Sequence, residues 1–131
     1  MSIEKEILEA LLELQSDGNR RSIVIAPASN YTSSAQEHSE IVKAGPGILY
    51  GLLVYNNNAG AQWIQIHDSA TVPADGAVPA ITFDIATQAA KTLDYGLRGR
   101  KFANGIYICN STTDVTKTLG AADCLFDIQF D

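Results

Sequence analysis

Few side chains in this sequence could do covalent or metal chemistry. There are two histidines, His38 and His67, and two cysteines, Cys109 and Cys124. A serine or cysteine nucleophile needs a base within hydrogen-bond reach and a third group to orient that base. The one imaginable set is Cys109 with His67 and Asp68. His67-Asp68, however, closes an alternating run and enters a loop, where both residue types are common. No Gly-x-Ser-x-Gly elbow and no His-Glu-x-x-His pair occurs. His67, Asp68, Cys109 and Cys124 follow no recognised ligand spacing such as Cys-x-x-Cys. Gly45-Pro46-Gly47 leads into a strand, whereas phosphate cradles lead into a helix N-terminus. The sequence therefore predicts no catalytic residue, no metal site and no cofactor, and a protein that is not an enzyme.

The cysteines read as two reduced, buried, small hydrophobes beside strands. One inter-strand disulfide is the alternative, which spacing does not decide. The sharpest local charge is Arg98-Gly99-Arg100-Lys101. It could meet an acidic partner surface, such as the acidic side of a neighbouring copy, or touch nucleic acid, or be a solvated loop. A net charge of -6 argues against a general nucleic-acid binder.

These residues must be held by a chain of 131 residues, the length of one domain with one core. The charged fraction of 18% is low, as expected if some surface is hidden against partners. No run approaches the roughly 18 apolar residues that span a bilayer. Met-Ser-Ile-Glu-Lys-Glu lacks the basic start and apolar core of a signal peptide, so synthesis in a cytoplasm is expected.

Ser2 to Gln15 predicts an amphipathic helix. Ile3, Ile7, Leu11 and Leu14 form one stripe, widened by Leu8 and Leu12. Ser2 can cap it, Glu4 and Glu6 suit its first turn, and Asp17-Gly18 ends it. The stripe must pack on its own sheet or on another subunit. In the second case the helix is an assembly arm, and Ile3, Ile7, Leu11, Leu14, Arg98, Arg100 and Lys101 are the candidate interface. The organisation is an N-terminal helical arm over residues 1–18 and a β domain over 19–131.

Strand signals fill the β domain. Ile23-Val24-Ile25 is a short run broken by Pro27, and Tyr31 to Glu37 is a polar strand or a loop. Ile41-Val42 opens another strand. Ile48 to Tyr55 is apolar on both faces and so belongs in the middle of a sheet. Asn56 to Gly60 is a turn cluster, and Gln62 to Asp68 alternates, which predicts a hairpin between these two strands. Pro73 to Pro79 is an exposed loop. Ile81 to Ile85, Thr92 to Tyr95, Ile106 to Cys109 and Leu125 to Phe130 complete the set, with Asn104-Gly105 as a type I′ turn. Their number and spacing predict a mainly β fold, a β-sandwich or jelly-roll-like barrel with the N-terminal amphipathic helix attached.

Lys43 to Gly51, Asn56 to Gly60, Gln65-Ile66-His67-Asp68, Val72 to Pro79 and Phe102-Ala103-Asn104-Gly105-Ile106 together resemble small β-rich structural proteins of tailed bacteriophages. Some of these are capsid decoration, or cement, proteins. The resemblance covers about half the chain and rests on turns and strands. It implies a virion protein made in the host cytoplasm, with the major capsid protein and its own copies as partners. Trimeric association would suit the local symmetry of a phage head. The alternative is a fibre-attachment or glycan-binding module using Trp63, Tyr31 and Tyr55 as an aromatic platform.

Overall fold

The computed structural model describes residues 29–131. The predicted helix, the Ile23–Ile25 strand and the residues 1–18 arm lie outside the described residues. Nine strands follow in order: β1 Ser29–Thr32, β2 Ser39–Lys43, β3 Gly47–Asn56, β4 Gln62–Asp68, β5 Ile81–Ile85, β6 Ala89–Asp94, β7 Arg100–Phe102, β8 Ile106–Ser111 and β9 Cys124–Phe130. Among the described residues there is no helix. They form two antiparallel sheets. One runs β1-β9-β3-β6, with β7 also on β3, and the other runs β2-β8-β4-β5.

The pairings are nested. β1 pairs β9, β2 pairs β8, β3 pairs β6 and β4 pairs β5, as in one long hairpin. Rolling that hairpin up adds β3 to β9 and β4 to β8. The inward faces then share one apolar core. Leu52, Val54, Phe126 and Ile128 come from the first sheet, and Ile64, Ile66, Ile85 and Ile108 from the second.

β3 is central, as expected, with β9 on one side and β6 and β7 end to end on the other. Its register against β9 slips between Leu49 and Gly51. The extra residue is a bulge, so Leu49 and Leu52 both face the core although their numbers differ in parity.

The predicted β3–β4 hairpin is overturned, because the two strands lie in different sheets. The cause is Asn56. Its side chain points inward and is fully buried. Nδ2 donates to the carbonyls of Gly60 at 3.2 Å and Ala86 at 3.0 Å, and Oδ1 accepts from the Asn58 N–H at 2.9 Å. This network turns the chain across the sandwich mouth instead of back along β3.

The predicted type I′ turn is overturned as well. β7 and β8 do not pair, and neither Asn104 nor Gly105 has positive φ. Asp68 shapes this loop, its carboxylate accepting the N–H groups of Ala103 at 3.2 Å, Asn104 at 2.8 Å and Gly105 at 3.2 Å.

Candidate functional site

Alternation along β4 puts Ile64 and Ile66 in the core and turns Trp63, Gln65 and His67 to the opposite face. β8 supplies Tyr107, Cys109 and Ser111 beside them, in register. That outer face is sealed from solvent by the 69–79 and 112–119 loops. Gln65, His67, Tyr107, Cys109 and Ser111 are all buried. Gln65 pins the second loop, its Nε2 donating to the carbonyls of Thr113, Asp114 and Thr116 at 3.0, 2.9 and 3.0 Å. Its Oε1 is left as an acceptor 3.1 Å from His67 Nε2, so the network assigns the proton to Nε2. Lys117 ties the two loops together. Its N–H donates to Ala77 O at 2.8 Å, and its carbonyl accepts from the Gly76 N–H at 2.7 Å.

Charges inside this patch are shifted accordingly. Burial, then the Lys117 ammonium, pushes His67 below its ordinary value. Burial pushes the Cys109 thiol up to about 12, away from nucleophilic thiolate. The Tyr107 hydroxyl stands beside Ser39 and Lys117, yet completes no hydrogen bond among the described residues. The Cys109, His67 and Asp68 set is not assembled. His67 is committed to Gln65, and Asp68 is held by the Ala103–Gly105 amides on the other side of β4. Those amides, the Asn104 N–H foremost, hold the Asp68 carboxyl below the usual carboxylate range. Both cysteines are free. Cys109 faces outward on β8 while Cys124 faces the core from β9, so they are not placed to bond.

A second polar cluster, not anticipated from the sequence, plugs one end of the core. Gln62 Nε2 donates to Asn56 Oδ1 at 2.8 Å and Asp123 Oδ1 at 2.9 Å, and Asn110 Nδ2 donates to Asp123 Oδ1 at 3.0 Å. Burial alone would raise the Asp123 pKa, but the donors Gln62, Asn58, Cys124 and Asn110 outweigh it and hold it low. Asn56, Gln62 and Asn110 sit at strand positions whose parity faces inward, which is the signal that could have revealed this cluster. Among the described residues, no group of three or more His, Cys, Asp and Glu side chains is placed to hold a metal ion. No helix there is long and apolar enough to cross a membrane.

The outer face of the β1-β9-β3-β6 sheet is different, because among the described residues no loop seals it. Leu53 is 44% exposed and Leu125 37%. A hollow of about 510 Å³ lies over Gly51, bordered by Leu53, Thr92, Asp94, Leu97 and Gln129. The basic cluster stands at the edge of this sheet, and its side chains lie in different surroundings. Arg98 is exposed in the turn that carries Leu97. Arg100 turns across the sandwich mouth, with its guanidinium 3.4 Å from Ala80 O and 5.8 Å from the Phe102 ring. Lys101 borders a separate hollow with Lys43 and Asp131. Ile3, Ile7, Leu11 and Leu14 lie outside the described residues.

The aromatic residues considered for a glycan platform diverge. Tyr31 packs against the core, with its hydroxyl 2.7 Å from Glu37 Oε1. Trp63 faces outward from one sheet, and Tyr55 outward from the other.

No protein-family model matches the chain, and no curated protein matches it. Two solved structures are similar at low identity. One is the coat protein of Tobacco streak virus, with 13% identity over 77% of this chain and 85% of that chain, at a TM-score of 0.37. The other is PirA, with 11% identity over 86% of this chain and 98% of that chain, at a TM-score of 0.38.

Proposed function

We propose that this chain is a non-enzymatic structural protein of a virion, a capsid decoration or cement protein of a tailed bacteriophage. Its partners are the major capsid protein and further copies of itself, in a trimer where the shell has local threefold symmetry. The observation that carries the reading is the nested strand pairing, β1·β9, β2·β8, β3·β6 and β4·β5, rolled into two sheets. This is the connectivity of the jelly roll, an architecture shared by viral capsid and lectin domains. The step from fold to role is one of analogy. Between those two uses, the divergence of Trp63, Tyr31 and Tyr55 disfavours the lectin-like one, which needs a shared aromatic groove. The commitment of His67 and Asp68 to structural hydrogen bonds favours a protein without catalysis. Host-cytoplasmic synthesis followed by incorporation into the particle fits the resemblance carried by the loop and turn motifs.

The test is binding to particles. The purified chain is mixed with shells of the major capsid protein from the same virion and sedimented. Co-sedimentation that saturates at a fixed ratio to capsid subunits is expected. A folded chain that stays in the supernatant at all concentrations, and is missing from gradient-purified virions, overturns the proposal.

A further inference from the structure

The hollow on the outer face of the β1-β9-β3-β6 sheet, which no loop among the described residues seals, has features that match the N-terminal segment of this same chain. The hollow is apolar where Leu53 and Leu97 border it, and Leu97 is 70% exposed. Its floor is Gly51, whose missing side chain leaves the dip over which a stripe of leucines and isoleucines can settle. The segment from Ser2 to Gln15 carries that stripe as Ile3, Ile7, Leu11 and Leu14, with Leu8 and Leu12 beside it.

Chain geometry brings the two together. The described residues begin at Ser29, in the strand next to β9. Asn30 pairs with Gln129, the residue on the rim of the hollow, and Asn30 Oδ1 accepts from Gln129 Nε2 at 2.9 Å. From there the hollow over β3 and β6 is two to three strand spacings away, roughly 10–15 Å. The connection from Ser16 to Ala28 extends to about 45 Å at most, so it spans the gap with slack.

Charge sets the orientation of the segment. The segment up to Gly18 holds Glu4, Glu6, Glu9, Glu13 and Asp17 against the single Lys5. Arg98 is exposed one residue from Leu97 on the rim. Asp94, whose Oδ1 accepts the Gly96 N–H at 2.7 Å, and Asp127, paired across from Leu53, make the rest of this face acidic, so the Arg98 side of the hollow is the one that suits the segment's carboxylates.

We propose that residues Ser2 to Gln15 dock, within the same chain, in the hollow bordered by Leu53, Leu97 and Gln129, with their acidic side toward Arg98. A tethered segment meets its site at high effective concentration, which favours its own chain over a second copy. The inference goes beyond the virion reading and stands or falls independently of it.

The test is thiol crosslinking in the full chain. Cys109 and Cys124 are buried and stay out of the reaction. The double variant Leu8→Cys/Leu97→Cys is oxidised beside Leu8→Cys/Val115→Cys, which puts the second thiol on the exposed 112–119 loop. About tenfold more intrachain crosslink for the first pair is expected, as an effective-concentration effect. Equal yields overturn the proposal, and so do interchain dimers, which would assign the segment to a second copy. As an independent readout, Leu53→Asp should speed amide exchange over residues 3–14 while leaving β8 exchange unchanged. Exchange over 3–14 already at the unfolded rate in the unaltered chain also overturns it.

Discussion

Lys117 donates from Nζ to the carbonyl oxygen of Pro73 at 2.6 Å, although its side chain is only 3% exposed. The nearest carboxylate, Asp75, is 3.6 Å away and largely in solvent, so that pair adds little. The Tyr107 ring lies 5.5 Å beneath the ammonium. A buried cation serving a loop carbonyl makes Lys117 the clamp between the 69–79 and 112–119 loops. Lys117→Met keeps the apolar stem and removes the donor. Relief of charge burial offsets much of the lost bond, so global stability should fall by only about 1 kcal/mol in urea unfolding. Locally, the Gly76 amide, which donates to Lys117 O, should exchange faster. Unchanged exchange at Gly76 would show that the backbone pairing alone holds the loops.

His67 gives the sealed patch a pH dependence of defined sign. Its folded pKa is below the ordinary value, first through burial and then through Lys117. Below about pH 6.5 the unfolded chain takes up a proton that the folded chain resists, so stability falls as pH drops through that value. Above it, the contribution is present in full. In urea titrations between pH 8 and 5, His67→Gln should flatten the slope below about 6.5. An equal slope in the variant would place the dependence on other groups.

Tyr107 is fully buried and its hydroxyl has no partner among the described residues. Folding strips water from that group without replacing it, a cost of about 1–3 kcal/mol. The ring still packs edge-on to His67 with centroids 5.8 Å apart. Tyr107→Phe keeps the ring and discards the orphaned hydroxyl, so its denaturation midpoint should be unchanged or higher. A clear loss of stability would show that the hydroxyl is bonded after all, to Ser39, to Lys117 or to an ordered water.

Much of the strand content was legible because period-two patterns report one buried face. β4, β5 and β9 follow their alternation, with Ile64, Ile66, Ile85, Phe126 and Ile128 in the core. β3 was recognisable as central from its two apolar faces. The partners of β3 were not legible, since Asn56 to Gly60 looks like a hairpin turn until Asn56 is seen bonding to Ala86 across the sandwich. β7 was hidden because Arg100 and Lys101 read as a loop, and only backbone pairing with Gly47–Leu49 makes it a strand. The sealed patch was not legible for a related reason. A polar outward face such as Trp63, Gln65, His67 looks solvent-facing in sequence, and it is buried by loops that carry no periodicity of their own.

Gly105 is where turn chemistry and packing make different demands. An Asn-Gly pair suggests a glycine needed for left-handed backbone, but φ is not positive here. The glycine is required by close approach instead. A Cβ at Gly105 would stand 2.5 Å from Ser69 O and 2.7 Å from both Ala70 Cα and Lys43 O, all of them backbone atoms. None of these can swing aside as a side chain would, so one strand connection must move. The Ser69 N–H donates to Gly105 O at 3.2 Å, and the Gly105 N–H donates to Asp68, so movement also loosens those bonds. Gly105→Ala should therefore cost about 1–3 kcal/mol. Gly45→Ala, where nothing lies within 4 Å of the added carbon, is the matched control and should be neutral or slightly stabilising. Equal urea midpoints for the two variants would mean that the contact of Gly105 with the Ser69–Ala70 backbone is not as tight as the geometry requires.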